Sequence, residues 1–171
     1  KKTVVVTPNA EIAQMCAEDE NIKKVVCSAD MILPDGEGVV LASKKLGTPL
    51  FEKVAGVEFG MDCVSLAAER GYSLFLLGGK EGVAEKAASE LCSHFPALRI
   101  AGVRNGYFDR DSKENEHVLN QINKSGADIL FVCLGAPTQE KWAAENRDKL
   151  SPLLICCLGG SLDIYSGNVK R

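Results

Sequence analysis

The chain has no basic excess, few histidines and no long apolar run. Its 20 Lys and Arg stand against 23 Asp and Glu, a formal net charge of −3. It therefore has no positive field with which to hold a polyanion, and nucleic acid is not expected as its main partner. Nothing approaches the ~20 apolar residues needed to cross a bilayer. The stretch from Lys1 to Asn9 also lacks a signal-peptide layout, because only Val4 to Val6 are apolar. The only histidines, His94 and His117, fall in helical patterns away from any glycine-rich turn. They are expected at the surface, which argues against a Ser/His/Asp triad and a histidine-based metal site. The seven Cys form no C-x-x-C. Cys133, Cys156 and Cys157 lie inside apolar runs, so the cysteines read as reduced core residues, favouring the cytoplasm. Two nucleotide-binding signatures, G-x-G-x-x-G and G-x-x-x-x-G-K-[ST], are missing. Gly78-Gly79-Lys80-Glu81-Gly82 is only a looser cousin of the first.

What is present is a chain of 171 residues, 46% hydrophobic, which suffices for one domain with one sizeable core. Short β-rich runs alternate with helical patterns. Strands are expected at Thr3 to Val6, Val25 to Cys27, Met31 to Leu33, Ser73 to Leu77, Arg99 to Val103, Asp128 to Leu134 and Leu153 to Leu158. Helices are expected at Ala10 to Glu18 with Asn9 as N-cap, Gly38 to Lys45, Val57 to Arg70, Val83 to His94, Asn115 to Lys124 and Gln139 to Asp148. Strands separated by helices imply βαβ units, hence an α/β fold with a mostly parallel, doubly wound, Rossmann-like sheet and helices on both faces. The runs around Phe75, Phe131 and Ile155 are continuously apolar, as strands covered on both faces must be, and mark the sheet centre.

In such a sheet, ligands bind beyond the carboxyl ends of the strands. Five turns fall there: Thr7-Pro8-Asn9, Pro34-Asp35-Gly36-Glu37-Gly38, Gly78-Gly79, Gly135-Ala136-Pro137-Thr138-Gln139 and Gly159-Gly160-Ser161. Glycine lets the backbone approach a diphosphate closely, and exposed N–H groups at helix starts attract its charge. The same glycine pairs also serve tight βα turns with no ligand. Asp35 is the carboxylate best placed for chemistry, since a Pro-Asp-Gly turn at a strand end would display a base. Asp109-Arg110-Asp111 matches the D-x-D pattern of metal-dependent sugar transferases, but acidic residues before Asn115 are also what a helix start prefers, and that reading is taken. Trp142 is read as a packing residue.

Taken together, these turns resemble, in order and spacing, the WecG/TagA/CpsF family of glycosyltransferases. The matching segments include Thr7-Pro8-Asn9-Ala10-Glu11, Pro34-Asp35-Gly36-Glu37-Gly38, Val54-Ala55-Gly56 and Gly106-Tyr107-Phe108. Gly135-Ala136-Pro137-Thr138-Gln139-Glu140-Lys141-Trp142 is the most specific, and Gly159-Gly160-Ser161-Leu162-Asp163 completes the set. The resemblance implies an inverting transferase that needs no metal and no cofactor. It would move N-acetylmannosamine or a related sugar from a UDP-sugar to polyprenyl-diphosphate-linked N-acetylglucosamine, in synthesis of teichoic acid or surface polysaccharide. It assigns Asp35 as general base and Thr7, Asn9, Lys53, Gly78, Gly135, Pro137, Gln139, Gly159, Gly160 and Asp163 as substrate contacts. It also implies a cytoplasmic protein peripheral to the inner membrane surface, and leaves a homo-oligomer open.

Two departures stand out. Where the family commonly has R-V-A-G-x-D, this chain has Lys53-Val54-Ala55-Gly56-Val57-Glu58, which keeps the charge but loses arginine's planar fork. Family members also start earlier and run on into a basic, apolar tail held to touch the membrane, so the resemblance implies that restoring a tail raises turnover. A nicotinamide-dependent oxidoreductase is the competing enzyme class, weakened by the missing G-x-G-x-x-G and by the lack of an acidic ribose ligand beyond Gly78. A non-catalytic nucleotide-sugar-binding module is the third alternative.

Overall fold

Local signals start and stop the elements much as the sequence suggests. The side chain of Asn9 accepts the Ile12 N–H at 3.0 Å, Asp19 accepts those of Asn21 and Ile22, and Ser112 accepts that of Glu114. Gly71 and Gly126 close helices in the left-handed conformation. The computed structural model describes residues 1–170. In chain order it places β1 (Thr3–Val6), α1 (Ala10–Glu18), α2 (Glu20–Cys27), β2 (Met31–Ile32), α3 (Glu37–Lys45), α4 (Gly56–Arg70) and β3 (Ser73–Gly78). There follow α5 (Val83–His94), β4 (Arg99–Arg104), α6 (Lys113–Ser125), β5 (Ile129–Cys133), α7 (Thr138–Asn146), β6 (Leu154–Cys157) and α8 (Ser161–Tyr165).

The strands form one sheet in the order β2-β1-β6-β5-β3-β4, and every pairing is parallel. The fold is thus a Rossmann-like α/β sheet. The three continuously apolar runs are interior strands, and every residue of β3 and β5 is buried. Alternate side chains feed two apolar layers. Val4, Val6, Phe75, Leu77, Leu130, Val132 and Ile155 pack beneath α1, α2, α6 and α7. Val5, Leu74, Leu76, Phe131 and Cys156 pack beneath α4, α5 and α8.

One expected strand is absent. Val25 to Cys27 form the last turn of α2, where Ile22 and Val26 share a buried face one helical turn apart. Three β-branched or small residues are too short a run to override that spacing and the Asp19 cap. The five-residue α8 has no counterpart among the helices expected from the sequence. Trp142 is buried and donates its indole N–H to Asn115 Oδ1 at 2.7 Å, and both histidines are exposed. The seven cysteines are unpaired, and four of them, Cys63, Cys133, Cys156 and Cys157, are buried. No helix among the described residues is long and apolar enough to cross a membrane.

Candidate functional site

The helix after β1 runs to one face of the sheet, whereas the helix after the neighbouring β6 runs to the other. Strand ends at such a divergence leave a crevice, and this is where open α/β sheets bind ligands. A cleft of about 620 Å³ opens there. It brings together Thr7 and Asn9 after β1, Asp35 after β2, Gly135 and Gln139 around the start of α7, and Gly159, Gly160 and Asp163 after β6. Eight of the eleven residues named from the sequence therefore share one cavity. Glu11 and Ile12 of α1, Val57 of α4 and Ser161 of α8 also line it, and none of these four is among the contacts assigned from the sequence.

Asp35 is fixed from several sides. Its backbone N–H donates to Pro8 O at 3.0 Å, and Pro34 O accepts from Val54 N–H at 2.9 Å. Its Oδ2 accepts the N–H of Gly56, the first residue of α4, at 3.0 Å, while Oδ1 takes no donor among the described residues. Gly56 also lies against Thr7: a Cβ at that position would come within 2.7 Å of Thr7 Oγ1. Thr7 is itself buried and donates its hydroxyl to Cys157 O at 3.2 Å. The segment from Val54 to Gly56 thus clamps the carboxylate in place, with one oxygen held and one available to the cleft.

The far wall is supported from below. Gln139 is 2% exposed, and both ends of its amide are engaged. Oε1 accepts the Gly159 N–H at 2.9 Å, and Nε2 donates to Glu140 Oε1 at 2.8 Å. Gln139 therefore ties the Gly159-Gly160 turn to α7 from within the wall. The cost falls on Glu140, which is 3% exposed with Oε2 unpartnered. Burial pushes its carboxyl above the ordinary value, and the Gln139 donor offsets this only in part. The folded protein therefore keeps this proton to higher pH than the unfolded chain, whose reference value is 4.5. Between those two values the native state binds more protons, so stability falls as pH rises through the window. Urea unfolding at stepped pH should show the stability of the wild type relative to Glu140→Gln declining from pH 4.5 upward. A difference independent of pH would contradict a buried ionising carboxyl.

Three of the named residues lie elsewhere. Lys53 pairs with Glu37 at 3.3 Å, outside the lining of the cleft. Pro137 follows the cis Ala136-Pro137 bond at the start of α7, and it is Ala136, the residue before it, that lines the cleft. Gly78 is a packing glycine, because a Cβ there would strike the Cys133 carbonyl of β5. Of the D-x-D pair, the Asp109 carboxylate serves its own loop, since its Oδ1 accepts the Asp111 N–H at 3.0 Å.

A second cleft of about 630 Å³ lies beyond β3, β4 and β5 and shares Asp163 with the first. It presents Lys80, Arg110 and the largely exposed ring of Tyr107. Arg110 is set over the Phe108 ring at 5.0 Å and donates to Gly106 O at 3.1 Å. The first cleft, by contrast, has no Lys or Arg in its lining among the described residues. Nothing in the local sequence assigns Lys80 and Arg110 to one cavity; only the adjacency of β3 and β4 does so.

Fold and clefts define an α/β protein with a carboxylate-bearing site at a strand crossover, suited to small polar ligands. The profile of the glycosyl transferase WecG/TagA/CpsF family matches residues 1–171, and the chain belongs to that family. A relative from Bacillus subtilis (strain 168) is 35% identical over 168 residues, 98% of this chain and 64% of the relative. One from Bacillus spizizenii is 35% identical over all 171 residues and 65% of its own length. One from Staphylococcus aureus (strain NCTC 8325 / PS 47) is 32% identical over 98% of this chain and 64% of its own length. All three are named N-acetylglucosaminyldiphosphoundecaprenol N-acetyl-beta-D-mannosaminyltransferase. The chain thus spans just under two thirds, 64% to 65%, of the length of these relatives.

Proposed function

We propose that this chain is the catalytic core of an inverting, metal-independent glycosyltransferase that moves N-acetylmannosamine, or a close relative, from a UDP-sugar to polyprenyl-diphosphate-linked N-acetylglucosamine. The observation that carries the reading is Asp35, a carboxylate clamped on one oxygen at the rim of a cleft floored by glycine turns. The relatives' names supply the acceptor class and the sugar.

The acceptor hydroxyl enters beside Asp35, whose free oxygen takes its proton as the oxygen bonds to the anomeric carbon. The carbon–oxygen bond to the diphosphate breaks on the opposite side, its electrons leave with UDP, and the configuration inverts. The donor runs from the first cleft, which holds the sugar, into the second. There Lys80 and Arg110 meet the charge growing on UDP and Tyr107 offers a face to the base. Asp163, common to both clefts, accepts from hydroxyl groups between them. Metal independence is supported by the local use of Asp109 within its own loop. Family membership and a membrane-linked acceptor also favour a place on the cytoplasmic membrane surface.

Thermal unfolding with UDP, UDP-sugars and NAD, each with chelator and with Mg²⁺, tests the donor. A ligand at about 100 times its Kd stabilises by about 2.7 kcal/mol, a shift of several degrees for a domain of this size. A UDP-selective shift that survives chelation is expected. A shift with NAD alone would favour the oxidoreductase instead.

A further inference from the structure

Between Asp35 and Gly56 the chain makes a closed excursion. It leaves the Asp35 turn as α3, passes through residues 46–53, and returns to bond Pro34 O and Asp35 Oδ2 through the N–H groups of Val54 and Gly56. Its two ends are thus fastened to the proposed base, while its body is hardly packed at all. The only buried residues of α3 are Val40 and Ser43, and Val40 belongs to neither apolar layer of the sheet.

The outer surface of this excursion is apolar to a degree seen nowhere else among the described residues. Phe51 is 104% exposed, Leu46 79% and Leu41 58%, with Leu50 beside them. Four large exposed apolar side chains within eleven residues of sequence mark a segment that meets something. Lys44 and Lys45, both exposed, lie one turn from Leu41 on the same side of α3. The third lysine, Lys53, is paired with Glu37, and Glu52 is the one carboxylate of residues 46–52. In a chain of net charge −3, this is a locally cationic rim around an apolar tip. Protein interfaces deplete lysine, whereas an apolar element that enters a lipid interface is flanked by it.

We infer that the Glu37–Lys53 excursion seats on an anionic lipid surface, with Leu46, Leu50 and Phe51 entering the headgroup region and Lys44 and Lys45 meeting lipid phosphates. Because both ends hold the Asp35 turn, seating the tip places the base at the height of a membrane-embedded diphosphate. That consequence rests on the lipid-linked acceptor proposed above; the docking itself does not.

The test is flotation of the chain with vesicles of phosphatidylcholine alone and of phosphatidylcholine with phosphatidylglycerol. Flotation with the anionic vesicles is expected. Lys44→Glu with Lys45→Glu should lower the partition coefficient about tenfold or more, since each basic residue near an anionic surface contributes roughly fivefold. Leu46→Ser with Phe51→Ser should lower it comparably, on neutral as well as anionic vesicles. All four side chains are exposed, so melting temperatures should be unchanged and the variants remain folded. Failure of the wild type to float, or partition unmoved by both pairs, would overturn the inference, and so would Leu46→Ser with Phe51→Ser dissociating an oligomer at constant partition. Transfer to a short, water-soluble acceptor separates this from the function. Both pairs should leave that rate unchanged; a wild type that transfers normally but does not float would sink the docking surface alone, and a wild type that floats but shows no transfer at all would spare it and sink the transferase.

Discussion

Asp35→Asn should lower sugar transfer by about 10²–10⁴-fold, the usual contribution of a positioned general base. The change is nearly isosteric, and the asparagine oxygen can still accept the Gly56 N–H that holds Asp35 Oδ2 at 3.0 Å. The cleft therefore keeps its shape, and only the ability to take a proton is removed. Quenched assays with a lipid-linked acceptor should show the loss in kcat, while calorimetry finds UDP affinity unchanged. A variant that retains its rate would place the base elsewhere, and Glu11 and Asp163, the other carboxylates in the lining, would be next. If the wild type binds donor but never turns over, the chain is a binding module and Asp35→Asn has nothing to abolish.

Gly78→Ala should be the most damaging single methyl in the sheet. Its φ of 142° is one that side chains rarely adopt, and the added Cβ would meet the Cys133 carbonyl, whose carbon would be only 2.6 Å away. Both partners are backbone in adjacent interior strands, so neither can yield without breaking the β3–β5 ladder. Strain and overpacking together should cost about 3–5 kcal/mol, lowering Tm by roughly 10 °C. Gly82→Ala is the comparison, since its φ is 81° but a Cβ there meets nothing within 4 Å. It should lose only about 1 kcal/mol, through backbone strain. Equal losses in the two variants would show that conformation, and not the close approach of β5, makes Gly78 necessary.

The centre of the sheet is readable in the sequence because β3, β5 and β6 are covered on both faces, and continuous apolar runs around Phe75, Phe131 and Ile155 have no other simple explanation. The turns are readable because a strand that ends on Pro-Asp-Gly or Gly-Gly leaves few alternatives. Most of the first cleft follows, since parallel strands bring their carboxyl ends to one side. The second cleft does not follow, because Lys80 and Arg110 become neighbours only once β3 lies beside β4. Nor does Lys53, whose partner Glu37 depends on the return of the loop toward α3. Val25 to Cys27 mislead because three residues carry too little periodicity to separate a strand from a helix end. Gln139 is recognisable as important, but its engagement of Gly159 and Glu140 inside the wall emerges only in three dimensions.

Strand β6, which follows the other five described strands in sequence, lies between β1 and β5 and, among the described residues, is the one that joins the β1–β2 pair to the β3, β4 and β5 group. Thr3 therefore waits for Leu154, its partner in the ladder, before the two halves of the sheet can meet. Pairing so distant in sequence is slow to close. A nascent chain emerging from the ribosome would hold two unfinished edges until β6 is made. The crevice between β1 and β6, with the carboxylate beside it, comes into existence only at that step, so synthesis itself withholds the site until this whole stretch of polypeptide is in place.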